Sequence, residues 1–152
     1  MTTIAARRYY GKWIIAADSQ ETIERTDAGD IKLPCQKLFT HKSHVIATAG
    51  DSSAGHRFVQ YMNNKAESTK PWMGSFTPDP ERAFECLVLK GNALWLYDED
   101  MTPQEITSDF YAIGTGRMCA FAAMEEGADP RRAVEIAAKY DPYTGGDIVV
   151  AD

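Results

Sequence analysis

Trp13-Ile14-Ile15-Ala16-Ala17 is an unbroken apolar run that stops at Asp18. A run this short and this continuous fits a strand buried on both faces. Strand-length segments recur along the chain. Residues 2–8 form one, and Tyr9-Tyr10-Gly11-Lys12 turns it back. Lys37-Leu38-Phe39 and Val45-Ile46-Ala47-Thr48-Ala49 make a hairpin across residues 40–44. Residues 85–89 and 93–97 flank Lys90-Gly91-Asn92, a hairpin signal. Short strands follow near 104–107 and 110–113, and residues 147–151 make the last. Residues 19–34 are polar and broken by Gly29 and Pro34, so they read as a loop.

Helical segments fall between these strands. Asp51-Ser52-Ser53 offers N-cap residues for a helix running to about Ala66, with Phe58, Val59 and Met62 on its apolar side. An alanine-rich helix spans about 116–126 and closes at Gly127. Asp129-Pro130 caps another, with Ala133, Ile136, Ala137 and Tyr140 on one face. Pro71, Gly74, Pro78 and Pro80 make residues 67–80 an irregular connection. Strands joined by hairpins are mostly antiparallel. Helices in two groups can cover two sheet faces. The expected α+β architecture is two antiparallel sheets packed together with helices outside.

With 152 residues the chain suits one domain able to bury a sizeable core. The net charge of −6, without a basic run, argues against nucleic acid or a membrane surface as the main partner. No apolar run is long enough to cross a bilayer, and Arg7 and Arg8 are followed by no secretory apolar core. Cys35, Cys86 and Cys119 are far apart with no CxxC pair, which suits reduced thiols in a cytoplasmic protein. His41, His44 and His56 lack metal-ligand spacing, so no metal and no cofactor is expected.

Thr2 follows the initiator, so removal of Met1 exposes a threonine with a free amine. The hydroxyl can attack a carbonyl. The amine, with an ordinary pKa of about 7.7–8.0, can take the hydroxyl proton. One residue then carries nucleophile and base. With Met1 attached, the amine is locked in a peptide bond. Asp18 ends a buried strand and can pair with a cation. Lys37 opens an apolar segment, where its charge would favour an alkoxide nearby. Gly114-Thr115-Gly116 lies at a strand-to-helix turn, and Asp141-Pro142-Tyr143-Thr144-Gly145-Gly146 joins the last helix to the last strand.

In this order the segments resemble the proteasome β-type subunits and the related bacterial peptidase of the HslV type, which are N-terminal nucleophile hydrolases. The resemblance covers almost the whole chain. Thr2-Thr3-Ile4 looks like their processed N-terminus, and Ile15-Ala16-Ala17-Asp18 like the strand delivering an acidic residue. Lys37-Leu38-Phe39 is similar to the strand bearing the catalytic lysine. Tyr111-Ala112-Ile113-Gly114-Thr115-Gly116 resembles the Gly-Ser-Gly turn, and residues 141–146 resemble Asp-x-x-Ser-Gly-Gly.

The resemblance implies a four-layer αββα sandwich of mostly antiparallel sheets, with the second helix shortened or lost. It implies a threonine-type peptidase working through an ester on Thr2. Asp18 and Lys37 would pair beside the nucleophile. Thr115, Asp141 and Thr144 would hold its amine. The N–H of Ala47 would receive the oxyanion, and Val45 would line a substrate pocket that favours uncharged side chains. Alanine stands at 47 where the family has glycine, and threonine replaces serine at 115 and 144. The Asp18–Lys37 spacing is slightly longer than in the family, so Lys32 stands as a rival, though Leu38-Phe39 after Lys37 favours Lys37. The partners implied are a peptide or protein substrate and further copies of the chain, a ring being one form. An ATP-dependent unfoldase is a further candidate. A catalytically silent assembly subunit and a small-amide amidase are the competing functional readings.

Overall fold

The computed structural model describes residues 2–24, 27–67, 76–77 and 81–152. The expectation of a fragmentary second helix and the irregular connection around Pro71 and Pro80 fall largely outside them. Among the described residues the order is β1 (Thr3–Tyr9), β2 (Lys12–Ala17), β3 (Gln20–Ile23), β4 (Ile31–Pro34), β5 (Leu38–Thr40), β6 (Val45–Gly50), α1 (Ser52–Glu67), β7 (Phe84–Lys90), β8 (Ala93–Tyr97), β9 (Gln104–Glu105), β10 (Phe110–Gly114), α2 (Arg117–Glu125), α3 (Pro130–Tyr140) and β11 (Val149–Ala151).

One sheet runs β10-β1-β2-β11 and a second runs β5-β6-β7-β8-β9. The pairings are antiparallel. Ile4, Ile15, Ala47, Leu87, Leu94 and Ile113 meet in a core between the two sheets. On the other face of the first sheet, Ala5, Ala16 and Ala112 pack against Ala120, Met124, Ala133 and Val134 of α2 and α3. On the outer face of the second sheet, Ile46, Phe84, Cys86 and Val88 pack against Ala54, Phe58 and Val59 of α1. The layers are therefore α2–α3, sheet, sheet, α1, the α+β sandwich that the sequence leads one to expect. The apolar run of β2 is buried because helices cover one face and the second sheet covers the other.

The helix ends follow local chemistry. The Asp51 carboxylate accepts the Ala54 N–H at 2.8 Å and starts α1. Asp129 does the same for Arg132, with Pro130 in the first turn of α3. Residues 19–34 depart from the expected loop. Gln20–Ile23 and Ile31–Pro34 pair as a two-stranded ribbon, with Gln20 opposite Pro34 and Ile23 opposite Ile31. Much of this ribbon is exposed, so its strands lack the apolar alternation that marks a half-buried strand. No helix among the described residues is long and apolar enough to cross a membrane.

Candidate active site

β1 is the second strand of the first sheet, so the residue before it is drawn inside the molecule. Thr2 is 2% exposed and Thr3 is fully buried. The Thr2 N–H donates to Thr115 Oγ1 at 3.3 Å, and its carbonyl accepts the Gly116 N–H at 3.5 Å. Thr115 Oγ1 lies 2.6 Å from Asp141 Oδ2, and Thr144 Oγ1 lies 2.6 Å from the same oxygen. Each hydroxyl has one proton. If both are given to the carboxylate, Thr115 keeps lone pairs for the Thr2 nitrogen. Thr144 then accepts from Thr3 Oγ1, 2.6 Å away. The proton directions along this chain of groups follow from the carboxylate at its centre.

A second network anchors the other side of β1. Asp18 is 1% exposed and Lys37 is 6% exposed. Lys37 Nζ donates to Asp18 Oδ1 at 3.0 Å and Oδ2 at 3.1 Å, and to the Gln20 carbonyl. The Asp18 carboxylate also accepts N–H groups from Thr3 (3.0 Å), Gly145 (3.1 Å) and Gln20 (3.3 Å). This buried anion is compensated by an ammonium and three backbone dipoles, the condition under which burial is tolerated. Burial pushes the Lys37 ammonium below the ordinary lysine value, and the Asp18 carboxylate opposes that shift by charge and hydrogen bond. Lys32, the rival, sits on exposed β4 opposite Thr22 and has no part in this network.

Two cavities meet at Thr2. One, about 600 Å³, runs along Ala49, Gly50, Phe84, Glu85, Thr115 and Arg117. The other, about 200 Å³, runs along Glu21, Lys37, Thr48, Gly50 and Ser52. Thr2 and Gly50 line both. The larger cavity is crossed by a bidentate pair in which Arg117 donates to Glu85 at 2.6 and 3.0 Å. Arg117 Nε also donates to the Gly114 carbonyl at 2.9 Å, which fixes the turn against Thr2.

The structure thus brings Thr2, Asp18, Lys37, Thr115, Asp141 and Thr144 together. It does not bring Ala47 or Val45 to them. Both are buried in the core between the sheets and line neither cavity. The Asp51 N–H bonds to the Ala83 carbonyl, which makes Gly50–Phe84 a wide pair of the β6–β7 ladder. Alternation then makes Ala47–Leu87 a narrow pair, whose N–H groups are spent within the sheet. By the same alternation the Gly50 N–H faces away from β7. Gly50 has φ +94°, and a Cβ there would lie 2.5 Å from the Ala83 carbonyl oxygen. Glu21 and the Glu85–Arg117 pair carry no signal in the sequence, and Thr3 and Gly50, though they lie in recognisable segments, have no role assigned there; Gly50 is marked as a glycine closing an otherwise good strand.

No protein-family model matches this chain, and no curated protein sequence matches it. Solved structures do. Thiobacillus denitrificans BPH in complex with epoxomicin is 20% identical, with a TM-score of 0.74 over 99% of this chain and 97% of that one. Eukaryotic HslV from Trypanosoma brucei is 20% identical, with a TM-score of 0.76 over 99% of this chain and 98% of that one. A further structure of Thiobacillus denitrificans BPH is 19% identical, with a TM-score of 0.73 over 99% and 96%. Identities this low speak to architecture, and over nearly its whole length this chain shares the fold of HslV and BPH.

Proposed function

We propose that this chain is an N-terminal threonine hydrolase that cleaves peptide bonds once Met1 has been removed. The observation that carries the reading is the setting of Thr2. Its nitrogen rests on a hydroxyl oriented by Asp141, its flank is held by the buried Asp18–Lys37 pair, and two cavities open onto it. The complex of the structurally similar BPH with epoxomicin agrees with this reading.

In the proposed reaction Thr2 Oγ attacks the carbonyl carbon and its proton passes to the Thr2 amine. The charge of Lys37 favours the alkoxide. The Gly50 N–H, facing off the β6–β7 ladder, takes the place first expected of Ala47 and receives the oxyanion. Collapse expels the leaving amine, which takes the proton from the Thr2 ammonium and leaves an ester on Thr2. Water activated by the restored amine hydrolyses that ester. The substrate is a peptide or protein segment. A homo-oligomer is the assembly this reading expects, and the exposed Met118 and Tyr140 on α2 and α3 favour contact between copies.

The test is intact mass of the Met1-processed protein before and after a peptide epoxyketone. One adduct per chain is expected, absent in Thr2→Ala, together with loss of peptide turnover in that variant. Undiminished turnover by folded Thr2→Ala would exclude Thr2 as the nucleophile.

A further inference from the structure

The smaller cavity at Thr2 has an unusual lining for a peptide-binding space. None of its lining residues is Val, Leu, Ile, Met, Phe, Tyr or Trp. At about 200 Å³ it suits one substrate side chain rather than a larger ligand. An apolar side chain placed there would bury little apolar surface and would strip water from polar walls.

The charges around this space do not cancel. Lys37 is matched by Asp18. Asp51 Oδ1 accepts the Ala54 N–H and the Ser53 hydroxyl, and Arg82 lies 3.9 Å from the same oxygen as a counter-charge. His56 Nδ1 is bonded to the Ser52 carbonyl at 2.8 Å. Glu21 is different. Its Oε1 accepts the Ser52 hydroxyl at 2.9 Å, and among the described residues it has no ion-pair partner. The carboxylate is half-buried on β3, opposite Leu33, and its wall of the cavity is held by that hydroxyl rather than left to swing into solvent. Its field is felt in the cavity: the Cys35 thiol is pushed up first by burial and then by the Glu21 charge.

We infer that Glu21 makes this cavity a receptor for a cationic substrate side chain, so that the chain cleaves peptide bonds adjoining lysine or arginine. The inference rests on the hydrolase reading above and names its substrate class. It reverses the uncharged preference expected from Val45, a residue that does not reach the cavity. An ammonium or guanidinium beside Glu21 regains in a charge-assisted hydrogen bond what it loses in hydration. A carboxylate in the same place meets a like charge.

The test is digestion of a mixed peptide library by the Met1-processed protein, with the cleaved bonds read by mass spectrometry and Thr2 titrated with the epoxyketone. Bonds adjoining Lys or Arg should exceed those adjoining Leu or Phe by about tenfold. Glu21→Gln keeps an acceptor for Ser52 and should erase that ratio. Glu21→Lys should move it toward Asp and Glu. A preference for Leu or Phe in the parent protein, or a cationic preference that survives Glu21→Gln, overturns the inference. Adduct formation with cleavage indifferent to charge sinks this inference alone, and adduct formation with no peptide cleaved removes the peptide-bond reading with it. Absence of both adduct and cleavage removes the hydrolase reading with it.

Discussion

Lys37 is the residue whose loss the structure makes most costly. It is the counter-charge for a carboxylate that is 1% exposed, and the same carboxylate holds the Thr3 N–H at the root of the site. Removing one member of such a pair strands the other in the interior. Lys37→Met is expected to cost about 3–5 kcal/mol in a denaturant titration and to abolish acylation of Thr2. The double variant with Asp18→Asn should recover a good part of the stability, since no unmatched charge remains, but none of the activity. Equal stabilities for the single variant and the parent protein would mean that the pair is not a buried one. In the sequence, Leu38-Phe39 favours Lys37 over its rival Lys32. The physical reason lies in how residues 19–34 fold. Their ribbon carries Lys32 outward on β4, while Lys37 enters the interior one residue before β5.

Among the elements, the turn from β10 into α2 is the one that sets the geometry of Thr2. Gly114 pairs with Thr3, and a Cβ on it would lie 2.0 Å from the Thr2 carbonyl oxygen. Its φ of +94° also excludes an unstrained side chain. Gly114→Ala is therefore expected to cost about 1–3 kcal/mol. It should also lower the acylation rate by about 100-fold, because a displacement near 1 Å at the nucleophile is enough for that. Stopped-flow acylation on the folded fraction measures the second effect apart from the first, and a rate within twofold of the parent would contradict it. The Gly-Thr-Gly turn was legible in the sequence because small residues at a strand-to-helix junction permit close approach. The clamp on it was not. Glu85 and Arg117 lie on β7 and α2, and nothing in their spacing along the chain announces a pair. The β3–β4 ribbon escaped for another reason: sequence periodicity reports burial, and a ribbon with both faces largely wet has none to report.

On the scale of the whole molecule, the site lies at a seam. The start of the first sheet, the end of β6 and the start of β7 come together around Thr2 and Gly50, and the Glu85–Arg117 pair spans that seam. What holds the seam in place is the packing on either side of it. Ala5, Ala16 and Ala112 let α2 and α3 approach the first sheet closely. Ala16 is fully buried, so Ala16→Leu should destabilise the fold by about 1–3 kcal/mol through overpacking. Val150, nearly half exposed on β11, should tolerate Val150→Thr within about 0.5 kcal/mol. Urea midpoints of the two variants check the contrast, and equal midpoints would show that the helix layer is not tightly applied.

The elements and the chemical inventory were legible in local stretches of the chain. Apolar runs of strand length, hairpin turns and caps are local signals, and they gave β1, β2, the β5–β6 and β7–β8 hairpins, α1, α2 and α3 with ends close to those observed. Thr2, Asp18, Thr115, Asp141 and Thr144 could be named because their residue types carry the chemistry wherever they fold. Folding settled which N–H of β6 turns off the β6–β7 ladder, how Lys37 is carried inward to Asp18, and which carboxylate beside the cavity has no ion-pair partner among the described residues. Those outcomes depend on ladder alternation and on contacts between residues far apart in the chain, and neither is written in any single stretch of it.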